Sequence, residues 1–256
     1  MADTNSLKGK IALITGAAGA IGMATAILLA SRGASIAAMD MNGADFKALK
    51  KTLPDALMLE GDVTDEASFG ACVAETLKAY KKIDIFFNNA GIEGAVAPIP
   101  DFPVDVFRKV LEVNVVGVFL GLKHVIPHMA KAGHGTIINS SSVAGLTGSP
   151  GLAAYIASKH AVLGLTRTAA VEWGAKGIRV NCINPGPIES RMMASIEEGA
   201  APGAGAKVHS GFAETIPMKR YGTPEEVAGV VAFLASDDAG FVNGAFYTID
   251  GGLTAA

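Results

Sequence analysis

Tyr155 and Lys159 stand four residues apart in YIASK (155–159), a separation that sets two side chains on one face of a helix. An ammonium held close to a phenol favours the phenolate, and a phenol so placed can take a proton from an alcohol or return one to a ketone oxygen. The help required is large. An unperturbed tyrosine titrates near ~10, roughly 3 units above neutrality, so its ionised form lies about 4 kcal/mol uphill. Ser142 precedes Tyr155 by 13 residues, a spacing that suits a strand-end serine facing a tyrosine one turn into the next helix. Taken alone, a Tyr and a Lys at this spacing describe many amphipathic helices with a half-buried phenol and a solvated amine. The rest of the chain has to decide between the two readings.

A second group of residues suits phosphate chemistry. The segment TGAAGAIG (15–22) follows an apolar run and leads into a helical pattern, the context a dinucleotide site requires. Gly16 permits the tight turn, Gly19 lets backbone approach a pyrophosphate and Gly22 permits close helix packing, while Ala20 and Ile21 open a helix whose free N–H groups attract an anion. Asp40 follows Gly22 by 18 residues (40 − 22), where a carboxylate accepts hydrogen bonds from adenosine ribose hydroxyls and repels a 2'-phosphate. Met41 and Asn42 offer no cation for such a phosphate, so NAD(H) is expected rather than NADP(H).

These residues need a scaffold, and the hydrophobic pattern supplies one. Short apolar runs at 10–15, 34–39, 56–60, 83–87, 135–140, 178–184 and 245–250 read as buried strands. Amphipathic stretches at 21–31, 65–80, 103–130, 153–175 and 224–235 are long enough to be crossover helices. The alternation predicts a single α/β domain, a Rossmann-like, doubly wound parallel sheet of about seven strands with its ligand crevice at the strands' carboxyl ends. Glu197 to Ala206, rich in Gly, Ala and Pro, reads as a mobile surface loop, and 190–217 as a substrate-binding lid that folds over bound ligand.

With these motifs in order, the chain resembles the short-chain dehydrogenase/reductase family over nearly its whole length. GDV (61–63) matches the segment that packs on adenine, with Asp62 bonding to it and Val63 beside it; NNAG (88–91), with Asn89, Ala90 and Gly91, follows the fourth strand as in the family. Asn114, Ser142, Tyr155 and Lys159 match the family's catalytic tetrad. The resemblance implies that Ser142 holds the substrate oxygen, that Asn114 holds a water linking Lys159 to solvent, and that Lys159 and the oxidised nicotinamide together help ionise Tyr155. It also implies that NPGPIES (184–190), with Pro185, Gly186, Ile188 and Ser190, contacts the nicotinamide, and that YTIDGG (247–252) forms the last strand and its exit. Two positions depart from the family pattern: Ala20 stands where glycine is usual, and Ser190 where threonine is common.

The implied activity is reversible hydride transfer between NAD(H) and a secondary alcohol or ketone. Ile92, Val96, Leu146, Leu152, Met192 and Met193 in the pocket segments suggest an apolar or cyclic substrate. A 3-oxoacyl-[acyl-carrier-protein] reductase would use the same tetrad, though more often with NADP(H), and a non-catalytic NAD(P) sensor would share the fold but has no use for an activated phenol. A net charge of −3 with mixed acids and bases leaves no basic face for nucleic acid. Cys72 and Cys182 have no close partner and read as packed thiols, the polar start MADTNSLKGK does not resemble a signal peptide, and no apolar run reaches the length of a membrane span, so a cytoplasmic protein is expected. His124 and His128 lie four apart but lack an acidic third ligand, and Pro127 interrupts the turn, so no metal is expected. Surplus apolar residues on two helices (Val113, Val116, Phe119 and Leu120; Ala161, Leu165, Ala169 and Trp173) suggest that they also meet symmetry mates, and the resemblance makes a homotetramer the expected form.

Overall fold

In the computed structural model, which describes residues 6–255, the strands pair in one parallel sheet of order β3-β2-β1-β4-β5-β6-β7. They are β1 (Ile11–Thr15), β2 (Ser35–Asp40), β3 (Leu57–Glu60), β4 (Ile85–Asn88), β5 (Gly135–Ser140), β6 (Ile178–Pro185) and β7 (Phe246–Ile249). The helices are α1 (Ala20–Ser31), α2 (Lys47–Thr52), α3 (Glu66–Tyr80), α4 (Val104–Leu111), α5 (Gly117–Ala132), α6 (Ala153–Trp173), α7 (Arg191–Ala200), α8 (Gly205–Thr215) and α9 (Pro224–Ala235). The start of the polar leader, residues 1–5, lies outside the described residues.

Continuous apolar runs form these strands because both faces of the sheet are covered. Alternate residues feed two cores. Leu13, Met39, Phe86, Ile137 and Val180 point to the side covered by α3, α5 and α6, while Ile14, Ile36, Phe87, Ile138 and Ile183 point to the side covered by α1 and α9. The order of strands reverses between β1 and β4, which opens the crevice above their carboxyl ends.

The structure departs from the sequence expectations in three places. The helix expected over 103–130 is α4 and α5 joined through a π-helical turn at Glu112–Val116, and it runs through Pro127 without stopping. By length and apolar composition this run, Val104–Ala132, could cross a membrane, contrary to the expectation that none would; half of its most apolar window is buried within the fold, as in a core helix. The loop expected over 197–206 is largely helical, with α7 ending at Ala200 and α8 starting at Gly205. This segment also buries more than its composition suggests. Ile196 and Glu197 are both inside, and the Tyr221 hydroxyl donates to Glu197 Oε1 at 2.8 Å.

Candidate active site

The glycine turn takes the shape its sequence requires. Gly16 has φ +64°, and a Cβ on it would press on Ala90; a Cβ on Gly22 would collide with the Gly16 carbonyl, so α1 can approach this closely only without a side chain there. Gly19 is the N-cap, no side chain caps α1, and no acidic residue occupies its first turn. The first N–H groups, from Ala20, Ile21 and Gly22, are therefore open to an anionic ligand. Thr15 ties this turn to its neighbour across the switch point: its Oγ1 accepts from the Asn89 N–H at 2.9 Å and the Ala90 N–H at 3.1 Å, and Asn89 Nδ2 donates back to the Thr15 carbonyl at 3.1 Å.

Asp40 closes β2 as expected. Its Oδ2 accepts from the Ala18 N–H at 2.8 Å and its Oδ1 from the Met41 N–H at 2.8 Å, which fixes the carboxylate beside the glycine turn; Met41 is exposed. Asp62 is exposed, with one oxygen accepting from Thr64 N–H and Oγ1 at 2.8 Å each, and Val63 packs against Gly117. The open helix start, the positive-φ glycine and the fixed carboxylate fit an adenine dinucleotide.

At the carboxyl ends of β5 and β6, Ser142, Tyr155 and Lys159 come together. Ser142 Oγ donates to the Pro185 carbonyl at 3.2 Å and accepts from the Ala144 N–H at 3.1 Å; Asn184 Nδ2 donates to the Ser142 carbonyl at 2.8 Å. Gly186 lies against Asp250, with no room for a side chain. Lys159 is buried, and its Nζ donates to the Ser140 carbonyl at 2.9 Å and lies 5.4 Å from the centre of the Tyr155 ring. The Tyr155 hydroxyl meets Met192 Sδ at 3.9 Å.

Burial, more than the ion pairing expected from sequence, sets the charge states of this pair. It pushes the phenol up to about 12; the Ser142 hydroxyl opposes the rise and the nearby Glu93 carboxylate adds to it. Burial also pulls the Lys159 ammonium down to about 8, against a smaller opposing effect of Cys182. The sequence predicts a lowered phenol; in the structure the phenol is raised, because taking its charge out of water is the largest effect on it.

Asn114 sits fully buried in the π-helical turn. Its Oδ1 accepts from the Ile92 N–H at 2.8 Å, and its Nδ2 donates to the Ile92 carbonyl at 2.9 Å and to Ser158 Oγ at 3.0 Å. A Cβ on Gly91 would stand 3.2 Å from Asn114 Oδ1 and 3.5 Å from Lys159 Nζ, so the glycine keeps the space between amide and ammonium open.

Two residues of the 184–190 segment engage their side chains within the protein. The Ile188 side chain is buried in the core, which leaves only its main chain to meet a cofactor. Ser190 spends its hydroxyl as the cap of α7, donating to the Ile188 carbonyl at 3.0 Å and accepting from the Met193 N–H at 3.2 Å. Among the pocket residues, Met192 touches the phenol, Val96 packs near Gly151 and Gly199, and Leu152 bridges to Ala97, whereas Leu146 is exposed.

Some residues of the site were given no role by the sequence, even where they lie inside its motifs. Asn88 donates to Asn139, which donates to Thr166 on α6, at 3.1 and 3.0 Å, so a buried polar ladder anchors the helix that carries Tyr155 and Lys159. Ser141 Oγ donates to the Lys159 carbonyl at 2.8 Å. Ser158 has a faint signal, being three residues past Tyr155 on the same face, and Glu93 has one as the lone acid in an otherwise apolar and small stretch. His124 stacks on Phe69 with Nε2 3.6 Å from Glu66, a neighbour the sequence does not reveal; among the described residues no three His, Cys, Asp or Glu side chains gather as a metal site.

A parallel sheet of this order, with a bare glycine turn at its switch point and a Ser, Tyr and Lys cluster beside it, defines an oxidoreductase acting on alcohol groups. The chain belongs to the short-chain dehydrogenase/reductase family: the family model described as enoyl-(acyl carrier protein) reductase matches residues 16–254. It is 42% identical to levodione reductase of Leifsonia aquatica, across 99% of this chain and 97% of that protein. It is 38% identical to cyclohexanol dehydrogenase of Acinetobacter sp. (strain SE19), across 98% and 97%. The crystal structure of levodione reductase superposes with a TM-score of 0.95, covering 98% of this chain and 99% of that one; an NAD+-bound xylitol dehydrogenase, 38% identical, gives 0.91 with coverage of 96% and 99%.

Proposed function

We propose that the chain interconverts a cyclic or otherwise apolar secondary alcohol and its ketone with NAD(H). The observation that carries this reading is the meeting of Ser142, Tyr155 and Lys159 beneath Met192, next to the open start of α1. Two similar proteins named for levodione and cyclohexanol support the cyclic substrate, and an NAD+-bound neighbour together with Asp40, followed by the uncharged Met41 and Asn42, supports NAD(H).

Bound NAD supplies the hydride acceptor or donor and, when oxidised, a positive charge. Gly16, Gly19, Ala20, Ile21 and Gly22 hold its pyrophosphate, Asp40 and Met41 border its ribose, and Asp62 and Val63 meet its adenine. Asn89, Ala90, Gly91, Pro185, Gly186, Ile188 and Ser190 border the rest, Ile188 through its main chain. Ser142 holds the substrate oxygen; Tyr155 gives its proton to that oxygen in reduction and takes it in oxidation. Lys159 passes the proton on towards solvent through the space that Gly91 leaves open, by way of a water held at Asn114.

Cyclohexanol and cyclohexanone, assayed by nicotinamide absorbance with each cofactor, test the proposal: turnover with NAD(H) at a kcat/KM well above that with NADP(H) is expected, and equal or better turnover with NADP(H) overturns the cofactor assignment. The same reading places the protein in the cytoplasm, where the buried thiols Cys72 and Cys182 stay reduced. It also makes the protein a homotetramer through α5 and α6, whose Phe119 and Val171 are exposed apolar side chains. A stable monomer by light scattering at micromolar concentration overturns the assembly.

A further inference from the structure

Glu93 is a buried acid that the proton path described above does not use. It lies two residues past Gly91 and is only 8% exposed. Its position follows from Asn114, whose side-chain amide holds both the N–H and the carbonyl of Ile92 and so fixes the backbone immediately before it. Arg191 Nη1, at the first turn of α7, donates to Glu93 Oε1 at 3.2 Å, while the Arg191 side chain stays 77% exposed. No hydrogen bond to Oε2 is found among the described residues, and this oxygen keeps contact with solvent.

The surroundings say what this oxygen can do. Arg191 is followed by Met192, whose sulfur touches the Tyr155 hydroxyl, so Glu93 and the phenol lie beneath the same helix start. Val96 follows Glu93 by three residues, packed near Gly151 and Gly199, and Ala97 pairs with Leu152, so apolar residues continue the same segment. Glu93 lies near enough to Tyr155 for its charge to act on the phenol, so a substrate held by Ser142 and Tyr155 at one oxygen has this acceptor nearby.

We propose that Glu93 is a specificity-determining residue whose free Oε2 accepts a hydrogen bond from a second hydroxyl of the substrate, so that diols and hydroxyketones are preferred over alcohols with a single oxygen. This rests on the alcohol/ketone reading of the site. Arg191 is the positioning residue: it holds the other oxygen and aims the carboxylate when α7 is in place. A donor offered to a carboxylate oxygen is strongly discriminated from a group that cannot donate, because the latter displaces water from Oε2 without replacing its hydrogen bond.

The test compares cyclohexane-1,2-diol with cyclohexanol, in binding to the NADH-loaded chain by calorimetry and in turnover with NAD+. The wild-type chain is expected to favour the diol by about tenfold or more in Kd and in KM. Glu93→Leu should remove that preference and Glu93→Gln, whose amide oxygen still accepts, should keep part of it. The ratio between the two alcohols is the readout, since any effect of Glu93 on the phenol acts on both alike. A ratio unchanged within twofold in Glu93→Leu overturns the proposal; where that variant does not fold, an unchanged ratio in Glu93→Gln does so. A calorimetric preference that is lost in the variants, with neither alcohol turned over by the wild-type chain, would sink the proposed activity and leave the subsite standing.

Discussion

The two ends of the same sheet treat buried polar groups in opposite ways. At the amino ends of β4 and β5, the buried Asp84 carboxylate accepts from the Ile11 N–H at 2.7 Å, pairs with Lys82 at 2.9 Å and has His134 at 3.7 Å. It borders a cleft of about 670 Å³ that also exposes His134, Arg179 and Asp237. At the carboxyl ends, the Lys159 ammonium is equally buried but among the described residues donates to a single carbonyl, and the Tyr155 hydroxyl, near Ser142, lies against a thioether at 3.9 Å. One end answers its charge and fixes strand position; the other leaves groups under-satisfied, so that their protons can move. Stability and chemistry occupy opposite ends of the same strands.

The comparison breaks most sharply at Tyr155. Tyr155→Phe should lower kcat at least about 1,000-fold, measured by nicotinamide absorbance, with NADH affinity by fluorescence titration nearly unchanged, since the hydroxyl acts in the transition state. At the other end, Asp84→Ala should destabilise the chain by roughly 3 kcal/mol in urea unfolding, because it strands the Ile11 N–H and the Lys82 charge, with kcat/KM of the folded enzyme within about twofold of wild type.

A subtler contrast comes from Lys159→Met, which should abolish most activity yet raise stability at pH 7 by on the order of 2 kcal/mol. The folded pKa, about 8, lies below the ordinary 10.5, so the unfolded chain binds the extra proton between these values. Wild-type stability should therefore gain a contribution as pH rises from 8 to 10.5, and that gain should be missing from the variant's unfolding curves. The smallest effect belongs to Glu93→Gln: removing a negative charge that raises the phenol should shift the pH midpoint of alcohol oxidation down by about half a unit. An upward shift would contradict the placement of Glu93.

The sequence made the strands legible because buried parallel strands leave unbroken apolar runs, and six of the seven predicted strands begin within one residue of the observed start. The site was legible where a backbone constraint forces a residue type, as at Gly16 and Gly22, or where helical spacing sets two side chains together, as at Tyr155 and Lys159. It was illegible where burial decides. Nothing in YIASK shows that desolvation outweighs charge pairing, and nothing in NPGPIES shows that Ile188 turns inward while Ser190 caps α7. The helices in 191–215 were hidden because Gly and Pro lower local propensity while contacts such as Tyr221 to Glu197 hold the segment from a distance.

The π-helical turn at Glu112–Val116 amounts to one residue more than a regular α-helix would need between α4 and α5. Excising a residue there would give better hydrogen-bond geometry and would turn all that precedes it by about 100° relative to α5. Asn114 would then swing off Ile92, and the loop it grips would lose its anchor. An insertion that makes a poorer helix thus behaves like a setscrew: the length of one helix, counted in single residues, adjusts a reaction centre formed by other elements.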